Sequence, residues 1–497
     1  MVGVPRSSGC LLCVKRRVKC DEERPGCGNC AKYGAECPGY DRAFKFVAGK
    51  HHVRQRRKDE NQSEIELNSS SINPATGSST LSPLVVLQRR PLQDATAFSI
   101  PPTLGGLRPE HIYGIINHLY VIEPRHEVSF FAPWFTSVPE HIGQKSHLDS
   151  AMSAFTLHLL GKAKCDSDLI GESRSMYGQS LCSLQKALNH PTEWKSAETL
   201  CATMLLCLYE LFAGTSNSAS WMKHAVGVSR LIQQRGSKAH ENPFDRSMLL
   251  SFRPMIIMNA LFSGQDCFLA KRNWQKILKT LSVNAQKEVD PSNHIITLVS
   301  RDTLVVVDRY FANLAKLPTI LRHGYELKQN RKHGMPIDHA QVILLVQGAK
   351  TLHADMADWF HTFVQVAGEP VEVASQDPSS IYDTVLSYEN IWVGSLFMGY
   401  WATMLIIQEV IQQCDQTDEY GESNRELARN IYRSLERVSA GIMGPYRVGY
   451  SLRISYDFAD VDTQIWIRSL LDRFEKTYAA TSASTYPKPE ANEYGYQ

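Results

Sequence analysis

Apolar residues recur every three or four positions over most of the chain, from about residue 101 to residue 478. This spacing places side chains on one face of an α-helix, whereas strand-like alternation occurs hardly anywhere. We therefore predict a large all-α body whose first two helices are separated by a turn between Cys165 and Ser173. Their apolar stripes are Leu148, Met152, Phe155 and Leu159 in the first helix, and Tyr177, Leu181, Leu184 and Leu188 in the second.

The segments that follow in the body also have a helical pattern. The run from Leu200 to Phe212 is apolar on nearly every face, which predicts a buried helix, and a polar turn at residues 214–218 follows it. A further apolar stripe runs from Trp221 to Ile232 and ends at Gly236, a residue suited to a helix C-cap. The β-branched residues at 303–307 continue at helical spacing, so we interpret this segment as helix as well.

A further apolar segment extends from Ile391 to Ile407 and is uncharged for seventeen residues. It contains Gly394, Ser395, Gly399 and Thr403, and a membrane span normally needs about twenty predominantly apolar residues. We therefore predict a helix in the core of the body and no association with a membrane.

Changes in composition mark the limits of the body. Residues 61–82 collect Ser, Asn, Thr, Gly and Pro, and such a segment buries too little apolar surface to offset the entropy lost on ordering. We predict four parts: a small module at residues 1–45, a basic and then Ser/Asn-rich flexible linker at 46–100, the helical body at 101–478, and a disordered tail at 479–497.

The linker does not have the pattern of a coiled coil. In a heptad counted from Phe46, the d positions are Gly49, Arg56, Ser63 and Ser70, which cannot form an apolar seam. We therefore expect the N-terminal segment to be monomeric and any homodimer to form through the helical body.

The module contains the unit Cys-x2-Cys-x6-Cys twice in succession. Because zinc prefers four ligands and a thiolate can bridge two metals, six sulfurs can hold two Zn²⁺ ions when two of the sulfurs are shared. The shared ligands should be the symmetry-related Cys10 and Cys27. The six predicted ligands are Cys10, Cys13, Cys20, Cys27, Cys30 and Cys37.

Two other uses of these cysteines are less consistent with the sequence. Disulfide bonds require an oxidising compartment, and residues 1–9 contain no apolar stretch of the kind found in a secretory signal, so we expect an intracellular protein. A single zinc ribbon that used the two Cys-x2-Cys pairs would leave Cys20 and Cys37 unused at matching positions.

Positive charge is concentrated around the module. Residues 1–60 hold fourteen Lys or Arg against seven Asp or Glu, a formal +7, whereas the whole chain is +2 and the remainder is therefore −5. Six thiolates and two zinc ions together add −2 and leave +5. The spacer from Val14 to Lys19 has four cations and no carboxylate, which favours a polyanionic partner such as DNA, although zinc modules also bind proteins.

These residues resemble the fungal zinc binuclear-cluster transcription factors. In that family a basic six-residue segment follows the second cysteine, Lys-Cys-Asp closes the first half as Lys19, Cys20 and Asp21 do here, and a proline such as Pro25 lies between the halves. Val14 departs from the family pattern, since many members have Arg or Lys there. The resemblance implies that the spacer reads CGG-type triplets in double-stranded DNA.

Within the spacer the cations divide by their chemistry. The guanidinium group matches the paired acceptors of guanine, so we expect Arg16 and Arg17 to contact bases in the major groove. Lys15 and Lys19 are expected to contact mainly phosphates.

The body resembles the fungal-specific transcription factor domain over roughly residues 100–475. That domain is all-α and has no established catalytic role, and the common hydrolase and nucleotide-binding motifs are missing here, so we do not expect an enzyme. We expect His224 to be a packing residue and not a ligand. The residues that carry the resemblance are Tyr209, Glu210, Trp221, His224, Gly227, Leu231, Arg235 and Gly236.

Together these observations predict a nuclear, zinc-dependent, sequence-specific DNA-binding transcription regulator for RNA polymerase II, and a pathway-specific one is compatible with the resemblance. Its expected partners are DNA and the transcription machinery, and an unidentified small-molecule effector is a further candidate. The alternative is an intracellular ligand sensor or degenerate enzyme that uses the zinc module only for docking.

Overall fold

In the computed structural model, the described residues are 11–16, 18–21, 27–35, 37, 132–135, 137–214, 220–288, 301–441, 443–476, 478–481 and 486. Contacts divide the chain into two units, Met1–Pro91 and Leu92–Gln497. The predicted linker at 46–100 and the first part of the predicted body, 101–131, lie outside the described residues.

The described part of the first unit has two short helices, α1 (Leu11–Arg16) and α2 (Gly28–Lys32). The second unit is built from helices, as the predicted fold class requires. Its helices are α3 (Ala132–Phe135), α4 (Ser146–Lys164), α5 (Ser167–Asn189), α6 (Ala197–Ala213), α7 (Ser220–Arg235), α8 (Pro243–Ser263), α9 (Arg272–Glu288), α10 (Arg301–Leu314), α11 (Leu317–Lys332), α12 (His339–Ala367), α13 (Ile391–Asp415), α14 (Gly421–Val438), α15 (Gly444–Ser455) and α16 (Val461–Glu475).

Helix α13 lies at the centre of the C-terminal half of this unit and packs on α11, α12, α14 and α15. Among the described helices it is the one that is long and apolar enough to cross a membrane, yet 83% of its most apolar window is buried inside the unit. It is therefore a core helix, as predicted. Gly399 permits close packing here, because a Cβ atom at this position would lie 2.5 Å from the hydroxyl oxygen of Tyr310 on α10.

The predicted turn between Cys165 and Ser173 is shorter than expected. Helix α4 ends at Lys164, Cys165 adopts a left-handed conformation, and α5 begins at Ser167. The carboxylate of Asp166 accepts hydrogen bonds from the backbone N–H groups of Asp168 and Leu169, so the polar residues here start a helix instead of interrupting one.

The stripes predicted for α4 and α5 differ in burial. All four apolar residues of the α4 stripe are buried, whereas on α5 Leu184 is buried but Leu181 and Leu188 are exposed. Helix α6 is buried along its length and ends at the left-handed Gly214, and residues 303–307 lie in helix α10, both as predicted.

A short hairpin interrupts the helical pattern. Strands β1 (Val371–Ala374) and β2 (Thr384–Ser387) pair antiparallel with Val371 opposite Ser387, and β2 packs on α14. Sequence alternation did not predict these strands, because four residues are too few to establish a period.

The C-terminal boundary at residue 478 also needs correction. Ala479–Thr481 form a 3-10 turn on the helical unit, and Tyr486 is buried with its ring 5.2 Å from that of Tyr456. The Tyr486 ring thus buries apolar surface within a stretch whose polar composition predicted disorder. The rest of the predicted tail lies outside the described residues.

Arg235 takes part in a buried ion pair that the sequence did not reveal. Its guanidinium Nη1 lies 2.5 Å from Asp245 Oδ1, and the side chains of both residues are only 2% exposed. The Arg235 Nε donates to the carbonyl of Lys195 at 2.8 Å, and Asn242 Nδ2 donates to the second Asp245 oxygen. The pair therefore joins the end of α7 to the start of α8.

We predict that Asp245→Ala lowers the free energy of unfolding of the helical unit by about 3–5 kcal/mol, because it leaves the Arg235 charge buried without its partner. Urea unfolding of the full chain, followed by far-ultraviolet circular dichroism, measures this loss. Glu422→Ala is the matched control, since it removes a carboxylate from an exposed ion pair with Arg425. Equal midpoints for the two variants would contradict the assignment.

Candidate metal centre and nucleic-acid interface

The described cysteines of the module form its buried interior. Cys13, Cys20, Cys27 and Cys30 are all buried, Cys37 is half-buried, and Leu12 packs against this cluster. Cys10 lies outside the described residues. A hydrocarbon core is nearly missing from this part of the first unit, so its stability must come from what the sulfurs bind.

The sulfur atoms are arranged for metal binding. Cys13, Cys20 and Cys27 form one group and Cys27, Cys30 and Cys37 form another, and within each group the Sγ atoms lie within 4.8 Å of one another. The Sγ atoms of Cys13 and Cys27 are 3.6 Å apart. Zinc–sulfur bonds of about 2.3 Å in a tetrahedron place sulfurs about 3.8 Å apart, so this spacing suits zinc and is too long for a disulfide.

Cys27 belongs to both groups, which is the position expected of a bridging ligand. Each group then has three described sulfurs, and a tetrahedral metal would need one more. Zinc in these groups would supply the links that hold the two halves of the module together. Cys27 also starts α2, where its Sγ accepts the backbone N–H of Cys30 at 3.3 Å.

Asn29 connects the two cysteine repeats by hydrogen bonds. Its side-chain Nδ2 donates to the carbonyl of Lys19 at 2.7 Å, and its backbone N–H donates to Asp21 Oδ2 at 3.0 Å. The Lys-Cys-Asp segment that closes the first repeat is therefore fixed to the first turn of α2. An Asn near the start of a helix can be recognised in the sequence. The sequence does not reveal that its hydrogen-bond partner is the carbonyl of Lys19, ten residues earlier.

The basic spacer begins inside helix α1 and ends outside it. Helix α1 covers Leu11–Arg16 and therefore starts before the spacer, and Val18 is already outside the helix. Lys19 is exposed, and the Cζ atom of the half-buried Arg16 lies 3.5 Å from the ring centroid of Tyr33. Arg17 and the side chain of Lys15 lie outside the described residues.

The cysteines of the second unit have a different environment. Burial raises the pKa of the Cys201 and Cys207 thiols and raises that of Cys267 to about 11, so these groups are protonated at neutral pH. Cys182 on α5, by contrast, is exposed.

His224 is part of a partly buried polar contact and is not grouped with metal ligands among the described residues. The Tyr177 hydroxyl donates to Glu210 Oε1 at 2.6 Å and lies 3.1 Å from His224 Nε2. Burial lowers the pKa of His224, which favours the neutral ring. This agrees with the predicted packing role.

Comparison with known proteins matches two segments of the chain to families. Residues 8–45 match the fungal Zn(2)-Cys(6) binuclear cluster domain, and residues 140–305 match the fungal specific transcription factor domain. The chain carries the two domains of the fungal Zn(2)-Cys(6) transcription factors. The binuclear cluster domain binds two zinc ions, and the cysteine groups described above fit that requirement.

Three curated relatives show how far the similarity of this chain to known proteins extends. An uncharacterized protein of Emericella nidulans is 31% identical over 40% of this chain and 42% of its own length. The phomenoic acid biosynthesis cluster-specific transcriptional regulator of Leptosphaeria maculans is 24% identical over 46% and 42%. The aspercryptin biosynthesis cluster-specific transcription regulator of Emericella nidulans is 51% identical over 8% of each chain.

In the matched segments, this chain covers less than half of the length of each of these curated relatives. No solved structure matches the chain.

We predict that Cys27→Ser removes zinc more completely than loss of a cysteine that serves one group, because Cys27 is common to both groups. Native mass spectrometry of the full chain should show two zinc ions in the unsubstituted protein and a large loss in Cys27→Ser. Cys182→Ser is the control, since this exposed thiol lies on α5 and should leave both ions in place. Two zinc ions retained by Cys27→Ser would contradict a shared ligand.

Proposed function

We propose that this protein is a nuclear, zinc-dependent transcription regulator that binds CGG-type half-sites in double-stranded DNA and controls transcription by RNA polymerase II. The observation that carries the proposal is the buried cysteine cluster, in which two metal-binding groups share Cys27 next to a spacer rich in Lys and Arg. The predicted ligands of the two zinc ions remain Cys10, Cys13, Cys20, Cys27, Cys30 and Cys37.

The positive spacer supplies the DNA contacts in this proposal. Arg16 and Arg17 contact bases, because a guanidinium group can bond both major-groove acceptors of guanine. Lys15 and Lys19 contact phosphates. Because the Asn29 side chain bonds the carbonyl of Lys19, the end of the spacer is fixed to helix α2.

The helical unit is the regulatory part in this proposal and has no catalytic role. It would contact the transcription machinery and respond to a small-molecule effector. Two of the relatives are each named as the specific regulator of a biosynthesis cluster, aspercryptin in one case and phomenoic acid in the other. These names favour pathway-specific control here as well. We retain the domain limits 1–45, 46–100 and 101–478, with the helical domain extended to include Tyr486.

We further propose that two copies of the chain associate through the first three turns of α12. Residues 339–348 contain no Asp, Glu, Lys or Arg, and Ile343 and Leu344 are 57% and 67% exposed. An uncharged apolar face can pair with a second copy of itself about a twofold axis. Two DNA-binding modules would then reach two half-sites on one DNA molecule.

Selection of preferred sites from a random DNA library with the full zinc-loaded chain tests the main proposal. We expect enrichment of CGG-type triplets. Arg17→Ala should then cost about 1–3 kcal/mol at the selected site and relax the preference at one base pair, since a bidentate contact to a base is lost.

Lys19→Ala provides the contrasting measurement by fluorescence anisotropy. It should weaken selected and random DNA similarly and reduce the salt slope by about one, because a phosphate contact carries no sequence information. Arg425→Ala, an exposed arginine of α14, is the control and should change neither quantity. The quantity that decides is the ratio of the affinities for selected and random DNA. If Arg17→Ala, Lys19→Ala and Arg425→Ala all leave this ratio unchanged, the spacer is only an electrostatic patch.

Leu344→Glu tests the dimer proposal in the full chain. It places a charge in the apolar face, so the dimer should dissociate at micromolar concentration, as measured by sedimentation velocity. Tyr325→Glu is the matched control, because Tyr325 is 61% exposed on α11 and lies outside this face. A dimer that survives Leu344→Glu, or an unsubstituted chain that stays monomeric, would refute the assignment.

A further inference from the structure

A cation–aromatic contact joins the ends of the two helices in the module. Arg16 is the last residue of α1, and Tyr33 follows directly after α2. The Arg16 Cζ atom lies 3.5 Å from the centroid of the Tyr33 ring, which is the distance of a close stack. The contact therefore connects the basic spacer of the first cysteine repeat to the second repeat without a metal ligand.

We propose that Tyr33 is a positioning residue that holds the guanidinium of Arg16 in one orientation before DNA binds and thereby contributes to sequence specificity. This inference rests on the proposed function. It also goes beyond it, because Tyr33 is neither a metal ligand nor part of the basic spacer.

The side-chain geometry favours this role. A guanidinium group that stacks through its flat face keeps the nitrogens at its edge available for hydrogen bonds. In Arg16, Nη1 is shielded from solvent and has no hydrogen-bond partner among the described residues. The edge formed by Nε and Nη2 is then the one that can bond guanine in a bidentate manner.

The benefit of the stack is entropic. A free arginine side chain populates many rotamers and loses them when it binds a base, which weakens the complex. A side chain that is already held on Tyr33 has lost most of this freedom before binding. Discrimination between bases also increases, because a fixed guanidinium cannot shift to meet a mismatched acceptor.

The exposure of Tyr33 separates this role from simple packing. The residue is 59% exposed and lies outside the cluster of buried cysteines, so it fills no core position. Its backbone N–H bonds the carbonyl of Cys30 at the end of α2, and this bond does not depend on the side chain. Substitution of the ring should therefore leave the helix end and the metal centre intact.

The first test needs no DNA. The full zinc-loaded chain is treated with an arginine-selective glyoxal reagent, and modification of Arg16 is followed by peptide mass spectrometry with Arg425 as an internal reference. Tyr33→Ala should accelerate modification of Arg16 about threefold or more, since it removes the contact that covers one face, whereas Tyr33→Phe keeps the ring and the slow rate. Equal rates in all three proteins would overturn the stack.

The second test measures specificity. The quantity is the ratio of dissociation constants for the selected site and for the same site with one base pair replaced. Tyr33→Ala should reduce this ratio about three- to tenfold, Tyr33→Phe should preserve it, and Tyr33→Ala should have no further effect in an Arg16→Ala background. A ratio unchanged by Tyr33→Ala would overturn the proposal.

Native mass spectrometry of each variant shows whether both zinc ions are retained. If Tyr33→Ala loses zinc, Tyr33→Leu decides, because it keeps apolar bulk without an aromatic face; a Tyr33→Leu protein with full specificity would overturn the proposal. If the unsubstituted chain selects no DNA sequence, the proposed function fails and the specificity role fails with it. Protection of Arg16 that depends on the Tyr33 ring would still establish the positioning contact.

Discussion

The first unit depends on one constraint, which is that the sulfur atoms of its cysteines meet in two metal-binding groups. Its described residues bury four cysteines and little hydrocarbon, so the free energy that a larger domain obtains from an apolar core must come here from metal–thiolate bonds. Cys27 has the most demanding position, because it belongs to both sulfur groups and also caps α2. The spacing of the basic residues relative to the metal centre then follows from two short helices and the hydrogen bonds of Asn29.

The second unit is stabilised in a different way. Helix α13 is buried on almost every face, and the helices around it exclude water as in an ordinary globular protein. Several polar groups inside this unit are paired, as in the Arg235–Asp245 ion pair and the Tyr177–Glu210 hydrogen bond. One chain thus combines a unit that requires metal with a unit that requires apolar burial, and removal of metal should leave the helical signal of the second unit nearly unchanged.

The sequence predicted the parts of this structure that depend on local periodicity. The repeated cysteine spacing predicted the metal groups, and the apolar stripes predicted the buried faces of α4 and α6. It did not predict the position of the turn after α4, because Asp166 has the composition of a loop but the role of a helix cap. The Arg16–Tyr33 stack and the Arg235–Asp245 pair were also missed, since each joins residues whose contact depends on the folded arrangement of two helices.

The environments of the cysteines give the two units different responses to oxidants. Cys201, Cys207 and Cys267 are buried and protonated, and a protonated thiol without access to solvent reacts slowly with peroxide or disulfide reagents. In the metal-binding module, the thiols of each group lie within 4.8 Å of one another. When metal is missing, a sulfenic acid formed on one of these thiols can therefore condense with a neighbouring thiol to a disulfide. Among the buried cysteines, oxidation should therefore begin in the metal-binding module, and loss of zinc would convert a binding site into a redox-sensitive one while the helical unit keeps its fold.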